Sequence, residues 1–337
     1  MSTRFAFVGF RHAHINALYN LVKDRDDLEI VAACEEDAET RKQLPKAGIV
    51  ITHESYPRML SEVECDVVAC GDYYSVRGER LIEALETGRH VMGDKPLCTR
   101  LDELNRIQIL AMTHQRAVGC MFDLPNLGPY ITLREVIRKG VIGEVHTINF
   151  WAQHPLLYGT RPMWYFEEGK HGGTLNDIAC HAIDIVPWLT GRAITEITAA
   201  RAWNARVSKH PRFQDGGVLL LRLDNGGAVL GDVSYLSSDK HGYTMQPYWR
   251  FTVSGSKGVA ETNCMAQHVA VWHGDRDAME EIPVAAHATG AFLDDFLDEL
   301  AGKPSRDGLT TERVLKSNRS ALLAQQCADT ASFPCGL

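Results

Sequence analysis

The apolar positions fall into two regimes along the chain. In the first third, short apolar runs at residues 4–9, 28–34, 66–70, 90–92 and 117–121 read as buried strands. Between them, residues 15–22, 80–86 and 101–111 repeat apolar positions at helical spacing. Strands alternating with helices in this way predict a parallel, doubly wound sheet, whose ligands bind beyond the carboxyl ends of the strands. A helical pattern at 133–139 and a strand at 145–151 open the second regime. An amphipathic helix then follows Gly172-Gly173, with Leu175, Ile178, Ala182, Ile185, Val186 and Leu189 as its apolar positions. Beyond Gly191, β-rich runs dominate at 194–201, 217–223, 228–236, 248–255, 258–263 and 269–272. Asp224-Asn225-Gly226-Gly227 and Gly255-Ser256-Lys257-Gly258 are hairpin signals among them. The expected fold class is α/β, with a parallel sheet in residues 1–122. A C-terminal α+β domain in 123–337 would carry a large, mostly antiparallel open sheet, with closing helices at 291–301 and 311–328. Such a sheet must cover its open face, and another subunit does so most simply.

Length and charge narrow the classes. A chain of 337 residues exceeds one ordinary core. Hydrophobic content of 45% and charged content of 23% fit a soluble globular protein. The formal net charge of −8 argues against nucleic acid or an anionic membrane as partner. No apolar run approaches the roughly 18 residues of a spanning helix, and residues 1–4 lead directly into the first strand with no apolar signal region. The nine cysteines are scattered and include no C-x-x-C pair. Reduced thiols in a cytoplasmic protein are therefore expected, not a disulfide frame or zinc ribbon.

The candidate chemistry clusters at strand ends. The first strand–turn–helix is where a dinucleotide pyrophosphate would sit, and backbone approach there calls for glycines. The turn reads Gly9-Phe10-Arg11-His12-Ala13-His14, so only the first glycine of the pattern is present. Arg11 can crowd a phosphate or pair with it, and His12 and His14 are surface residues or line the ligand edge. Glu35 follows the second strand, where a carboxylate holds the adenosine ribose. It favours NAD over NADP, because a 2′-phosphate would meet negative charge. The alternative for Glu35 is an exposed acid in the loop Glu35-Glu36-Asp37. In Asp94-Lys95-Pro96 the proline restricts Lys95 to extended geometry just beyond a strand. There Lys95 either supports a developing oxyanion or sits in an exposed turn. Asp177 and His181 lie four residues apart, one turn apart on a helix face, as an acid–base pair or an ordinary polar pair at a helix start. Trp164, in the run Trp164-Tyr165-Phe166, stacks on a sugar face or serves packing.

The order of these motifs resembles the Gfo/Idh/MocA family, the glucose–fructose oxidoreductase and inositol dehydrogenase-like enzymes. Gly88-Arg89-His90-Val91-Met92-Gly93-Asp94-Lys95-Pro96-Leu97 is similar to the family's G-K-H-V-x-x-E-K-P-L. Gly172 through Asp184 is similar to G-G-x-x-x-D-x-G-x-H-x-x-D, and Gly140-Val141-Ile142-Gly143-Glu144 to G-x-I-G-E. Asp294-Asp295-Phe296-Leu297 resembles the family's closing helix. The resemblance spans essentially the whole chain. It implies a Rossmann domain, a nicotinamide cofactor (NAD, with NADP less favoured) and a sugar or cyclitol substrate. A homodimer or homotetramer through the C-terminal sheet is also implied. The catalytic set would be Lys95, Asp177 and His181, and the substrate set would add Trp164. The cofactor set would be Gly9, Phe10, Arg11, His12, Glu35, Gly71, Asp72, Asp94, Lys95 and Pro96. Three positions depart from the family: the reduced glycine turn, Asp94 for glutamate, and Arg77 about where a histidine is common.

The function expected is hydride transfer between a secondary hydroxyl and nicotinamide. His181 would take the hydroxyl proton, Asp177 would orient it or bind a neighbouring hydroxyl, and Lys95 would steady the oxygen. Competing readings are transient oxidation serving elimination or glycoside cleavage, and a non-catalytic nucleotide or sugar sensor. A metal hydrolase using His171, Asp177 and His181 has no supporting ligand spacing, so no metal is expected.

Overall fold

Each apolar run of the first regime becomes a strand. The computed structural model describes residues 2–304 and 308–337. In order these are β1 (Thr3–Val8), β2 (Leu28–Cys34), β3 (Val67–Cys70), β4 (His90–Gly93) and β5 (Val118–Cys120). They pair in parallel in the order β2-β1-β3-β4-β5. The intervening helices are α1 (Ile15–Lys23), α2 (Ala38–Gln43), α3 (Tyr56–Glu62), α4 (Tyr74–Glu86) and α5 (Leu101–His114). Helix α1 buries Ile15, Leu18, Tyr19 and Val22, the i, i+3, i+4, i+7 set that its sequence offers. The strand order reverses at β1, so the turns after β1 and β3 flank the switch point where ligands bind in such sheets. Gly9 makes the first turn at φ +73°, and a Cβ there would lie 2.5 Å from the Asp72 Cβ. Only glycine fits that approach.

The second regime starts with α6 (Gly128–Arg138), β6 (Val145–Trp151) and α7 (Cys180–Thr190). The strands β7 (Ile194–Trp203), β8 (Gly216–Leu223), β9 (Ala228–Asp232), β10 (Arg250–Gly255), β11 (Gly258–Thr262), β12 (His268–His273) and β13 (Glu280–Pro283) follow. Helices α8 (Ala291–Leu300) and α9 (Thr311–Thr330) and a short β14 (Cys335–Gly336) complete the order. Among the described residues the second sheet has nine strands, ordered β13-β12-β11-β10-β6-β9-β8-β7-β14. Its pairs are antiparallel except β6 with β9. Both glycine-rich turns make hairpins, β8–β9 and β10–β11. Phe150 and Phe251 stack at 5.7 Å under α6, whose Tyr130 meets Phe251 edge-on at 5.4 Å.

The chain forms two compact units. One comprises Met1–Met121, Gly169–Gly172 and Phe292–Asn318; the other comprises Phe122–Glu168, Gly173–Ala291 and Arg319–Leu337. The late segment completes the first unit: the Val118 N–H donates to Thr311 Oγ1 at 2.9 Å, and the Leu97 N–H to Asn318 Oδ1 at 3.0 Å. No described helix is long and apolar enough to cross a membrane. Among the described residues all nine cysteines are free thiols.

One expectation changes in kind. Residues Leu175–Ala179 form a π-helical turn, and regular α-helix begins only at Cys180. Asp177 and His181 therefore straddle a widened turn and are not ordinary i, i+4 neighbours. The Gly172-Gly173 pair is a packing requirement. Gly173 sits at φ +95°, and a Cβ there would lie 2.1 Å from the Gln325 side chain, whose Oε1 accepts the Leu175 N–H at 2.9 Å.

Candidate active site

In the first unit the candidate residues lie at the carboxyl ends of β1, β2, β3 and β4. Glu35 is buried, not exposed: its carboxylate accepts the N–H of Phe10 at 2.6 Å and of Asp37 at 2.8 Å. Burial pushes its pKa up against those two bonds. Arg11, standing where the pattern has glycine, lies 3.6 Å from Glu35 and 3.5 Å from Asp72, with its guanidinium over the Tyr73 ring. The two carboxylates thus hold the arginine to the side of the turn. Burial also raises the pKa of Asp72, opposed by the charge of Arg11. The Phe10 N–H is tied down by Glu35, while Gly9 and Gly71 keep the strand ends bare of side chains.

Arg77 is fully buried, and its guanidinium clamps the strand end that bears Lys95. It donates to Asp72 O at 2.6 Å, Lys95 O at 2.6 Å, Pro96 O at 3.0 Å and Asp94 Oδ2 at 3.0 Å. The Lys95–Pro96 peptide is cis. Asp94 also accepts its neighbour Lys95 N–H at 2.7 Å and hydrogen-bonds His12 Nδ1. Burial alone would raise the Asp94 pKa, but His12 and Arg77 beside it hold it well below the usual carboxylate range. Burial pushes the His12 pKa down to about 3, against the pull of Asp94. Tyr74 is buried at the centre of this group, 5.3 Å from the His12 ring, 5.4 Å from the His171 ring and 5.9 Å from Lys95 Nζ. Lys95 itself is 5% exposed.

In the second unit Asp177 and His181 are both buried. The Tyr235 hydroxyl donates to Asp177 Oδ2. His181 Nδ1 faces Asp123 Oδ1 at 3.9 Å, and its ring meets Phe122 and Trp249 edge-on at 5.9 and 5.5 Å. Trp249 is a buried, bulky residue at φ +49°, a conformation rare for such side chains and concentrated at functional sites. His154 lies among Tyr235, Tyr243, Tyr248 and Trp249, with Nδ1 donating to Ala152 O at 2.7 Å. Trp164 is buried and stacked on Tyr165 at 4.1 Å. Arg161 covers both the Tyr165 and Tyr235 rings.

The structure thus gathers Gly9, Phe10, Arg11, His12, Glu35, Gly71, Asp72, Asp94, Lys95 and Pro96 along one sheet edge, and Asp177 and His181 around one π turn. Sequence reasoning did not reach Tyr235, Trp249, His154 or Asp123. They stand 23 to 68 residues from the nearer member of the Asp177–His181 pair or beyond the turn, and no local spacing links them.

Comparisons agree with this architecture. Residues 3–122 match the model of an oxidoreductase family with an NAD-binding Rossmann fold, and residues 130–261 match the GFO/IDH/MocA C-terminal domain. D-xylose dehydrogenase of Paenarthrobacter nicotinovorans is 23% identical over 84% of this chain and 80% of that protein. Inositol 2-dehydrogenase/D-chiro-inositol 3-dehydrogenase of Lactiplantibacillus plantarum is 23% identical over 79% of this chain and 73% of its own. An inositol dehydrogenase homologue from Azotobacter vinelandii, solved with NAD+, shares the fold at TM-score 0.82, with 16% identity, over 100% of this chain and 98% of that one. With both halves matched in order along 3–122 and 130–261, the chain belongs to the Gfo/Idh/MocA family of NAD-binding oxidoreductases.

Proposed function

We propose that this protein is an NAD(P)-dependent dehydrogenase, NAD preferred, acting on a secondary hydroxyl of a sugar, sugar derivative or cyclitol. Residues 1–122 would carry the cofactor, and 123–337 the substrate. The observation that carries the reading is the fixed setting of Lys95, buried beyond β4 and held through Arg77 and Asp94, in a chain that also buries Asp177 and His181. The turn fits a dinucleotide despite its lost glycines, because Glu35 and Asp72 hold the Arg11 side chain beside it and Gly9 leaves no Cβ. Gly9, Phe10, Arg11, His12, Glu35, Gly71, Asp72, Asp94, Lys95 and Pro96 would hold the cofactor. The buried Glu35 carboxylate supports NAD over NADP through repulsion of a 2′-phosphate.

When bound, nicotinamide supplies the acceptor for a carbon-bound hydrogen leaving as hydride. His181 takes the proton of the reacting hydroxyl, a task worth about 10²–10⁴-fold in rate. Asp177, fixed by Tyr235, orients His181 or accepts a hydrogen bond from a neighbouring substrate hydroxyl. Lys95 steadies the negative charge that develops on the reacting oxygen. Trp164 supplies apolar surface to the substrate side.

Nine free thiols support a reducing, cytoplasmic setting. The second sheet leaves Val218 and Leu230 36% and 44% exposed on one face, which supports a homodimer or homotetramer through that sheet. The test is calorimetry with NAD and NADP on wild type and Glu35→Gln, followed by a polyol and sugar screen read as reduced-nicotinamide absorbance. Binding of NAD, weakened in the variant, with turnover that drops at least about 100-fold in His181→Ala, is expected. Absence of binding by either nucleotide, in a sample shown free of retained cofactor, would refute the reading.

A further inference from the structure

Among the described residues, one group of three His, Cys, Asp or Glu side chains brings its ligand atoms within 4.8 Å of one another: His12, His14 and Asp94. Two come from the turn after β1, the third from the end of β4, 80 residues later. From this arrangement we infer that the turn and Asp94 form a binding site for a divalent transition-metal ion of the zinc class, with Nδ1 of both histidines and one Asp94 oxygen as ligands. The sequence directed attention to His171, Asp177 and His181, and spacing along the chain could not show this other set.

The donor geometry fits. Zinc bonds of about 2.0–2.2 Å in tetrahedral array place ligand atoms about 3.3 Å apart. His14 Nδ1 stands 3.6 Å from Asp94 Oδ1, and the two imidazole rings lie 4.3 Å apart between centroids. His12 Nδ1 and Asp94 Oδ2 are joined by a hydrogen bond. Metal binding at Nδ1 moves the imidazole proton to Nε2, which then donates to the Tyr74 hydroxyl, so His12 stays neutral and the Asp94 carboxylate faces the ion.

The outer shell is also in place. Metal-bound histidines and carboxylates are held by partners on their far sides. His12 Nε2 faces the Tyr74 hydroxyl at 3.3 Å, while Asp94 is gripped by Arg77 at 3.0 Å and by the Lys95 N–H at 2.7 Å. Asp94 is fully buried and His12 nearly so, whereas the His14 side chain is 56% exposed. The site therefore has two buried ligands and one open to solvent. Two nitrogens and one oxygen select zinc, cobalt or nickel over magnesium and calcium, which prefer oxygen-only sets. Three protein ligands leave a fourth position for water. The Arg77 charge beside Asp94 lowers the affinity below that of a structural zinc site, so exchangeable, micromolar binding is expected. The site shares His12 and Asp94 with the proposed cofactor set, and its test reads metal uptake without nucleotide, so the two readings can fail separately.

The test uses the full chain, stripped with chelator and titrated with Co2+ alone. Wild type should take up about one equivalent, with visible d–d absorption and without the near-ultraviolet charge-transfer band that a cysteine ligand gives. His14→Ala, an exposed change expected to leave thermal unfolding unaltered, should weaken uptake at least tenfold. His14→Cys should retain binding and acquire the thiolate band. The inference is overturned by absence of d–d absorption, by a thiolate band in wild type, by His14→Ala binding as wild type does, or by a folded His14→Cys that binds without the band.

Discussion

Replacing Arg77 by methionine tests whether one side chain holds the strand end on which the active edge depends. The guanidinium is fully buried and makes bonds to three carbonyl oxygens and to Asp94. Its loss leaves the Asp94 carboxylate buried without its guanidinium partner, which costs about 3–5 kcal/mol. The Asp72, Lys95 and Pro96 carbonyls add about 1–3 kcal/mol for each left without a replacement donor. Even with a single carbonyl left unpaired, the loss of about 4 kcal/mol is a large share of the roughly 5–15 kcal/mol of a whole domain. Arg77→Lys keeps a charge but replaces a planar fork with a point donor, and should lose about 1–3 kcal/mol. The discriminating experiment is a cycle of Arg77→Met, Asp94→Leu and the double variant, read by urea unfolding with the slope checked for constancy. Hydrogen exchange of the Asp94 N–H, which bonds Cys70 O at 2.8 Å, adds a local reading. The double variant should be about 2–3 kcal/mol more stable than the sum of the singles, because the lone buried charge is gone. Singles that add within about 0.5 kcal/mol would refute the clamp.

Two further outcomes follow from local geometry. His90 Nδ1 accepts the Ala117 N–H at 2.9 Å, and burial, aided by the Arg116 charge, pushes its pKa down to about 4. Its folded pKa is depressed, so its stabilisation is complete above the unfolded value of about 6.5 and is lost as pH falls from there toward 4. A shift of that size is at most about 3 kcal/mol, and partial exposure reduces it to about 1–2 kcal/mol. His90→Asn should flatten the stability–pH curve in that window relative to wild type, and an unchanged slope would remove His90 from the account. Gly173→Ala adds a Cβ 2.1 Å from Gln325 at φ +95° and should destabilise by about 2–4 kcal/mol. Gln325→Ala in the same chain should restore only the steric part, and a Gly173→Ala protein with unchanged unfolding midpoint would contradict the close approach.

The parallel half was legible because each strand is a short apolar run and α1, α4 and α5 carry their own period, whereas α2, which buries no residue, and the short α3 were not read. Residues 28–34 were read as a strand, and β2 spans Leu28–Cys34. The open sheet followed from the glycine turns, since 224–227 and 255–258 set the β8–β9 and β10–β11 registers locally. The edge strands β13 and β14 carried too little apolar signal, with Glu280, Glu281 and Pro283 in one and two residues in the other. The π turn was invisible because Leu175–Ala179 has the composition of an ordinary helix. The role of Arg77 was equally hidden. On paper it stood in place of a histidine, and only the fold brings three backbone oxygens and Asp94 to its fork. Glu35, read as ribose ligand or exposed acid, is not exposed: it is buried, with Phe10 and Asp37 both offering N–H groups to its carboxylate.

The interleaving of the two units has a consequence for synthesis on the ribosome. The first unit's sheet is complete in sequence at Cys120, yet Phe292–Asn318 belongs to the same unit, and Gly119 lies where a Cβ would be 2.9 Å from Phe296. Translation at roughly 5–20 residues per second puts about 10–40 s between emergence of β5 and arrival of Asn318. Throughout that interval the nascent chain presents β5 as an unprotected edge whose apolar flank is still waiting for its cover. Chaperone dependence should therefore concentrate on chains stalled between those two points.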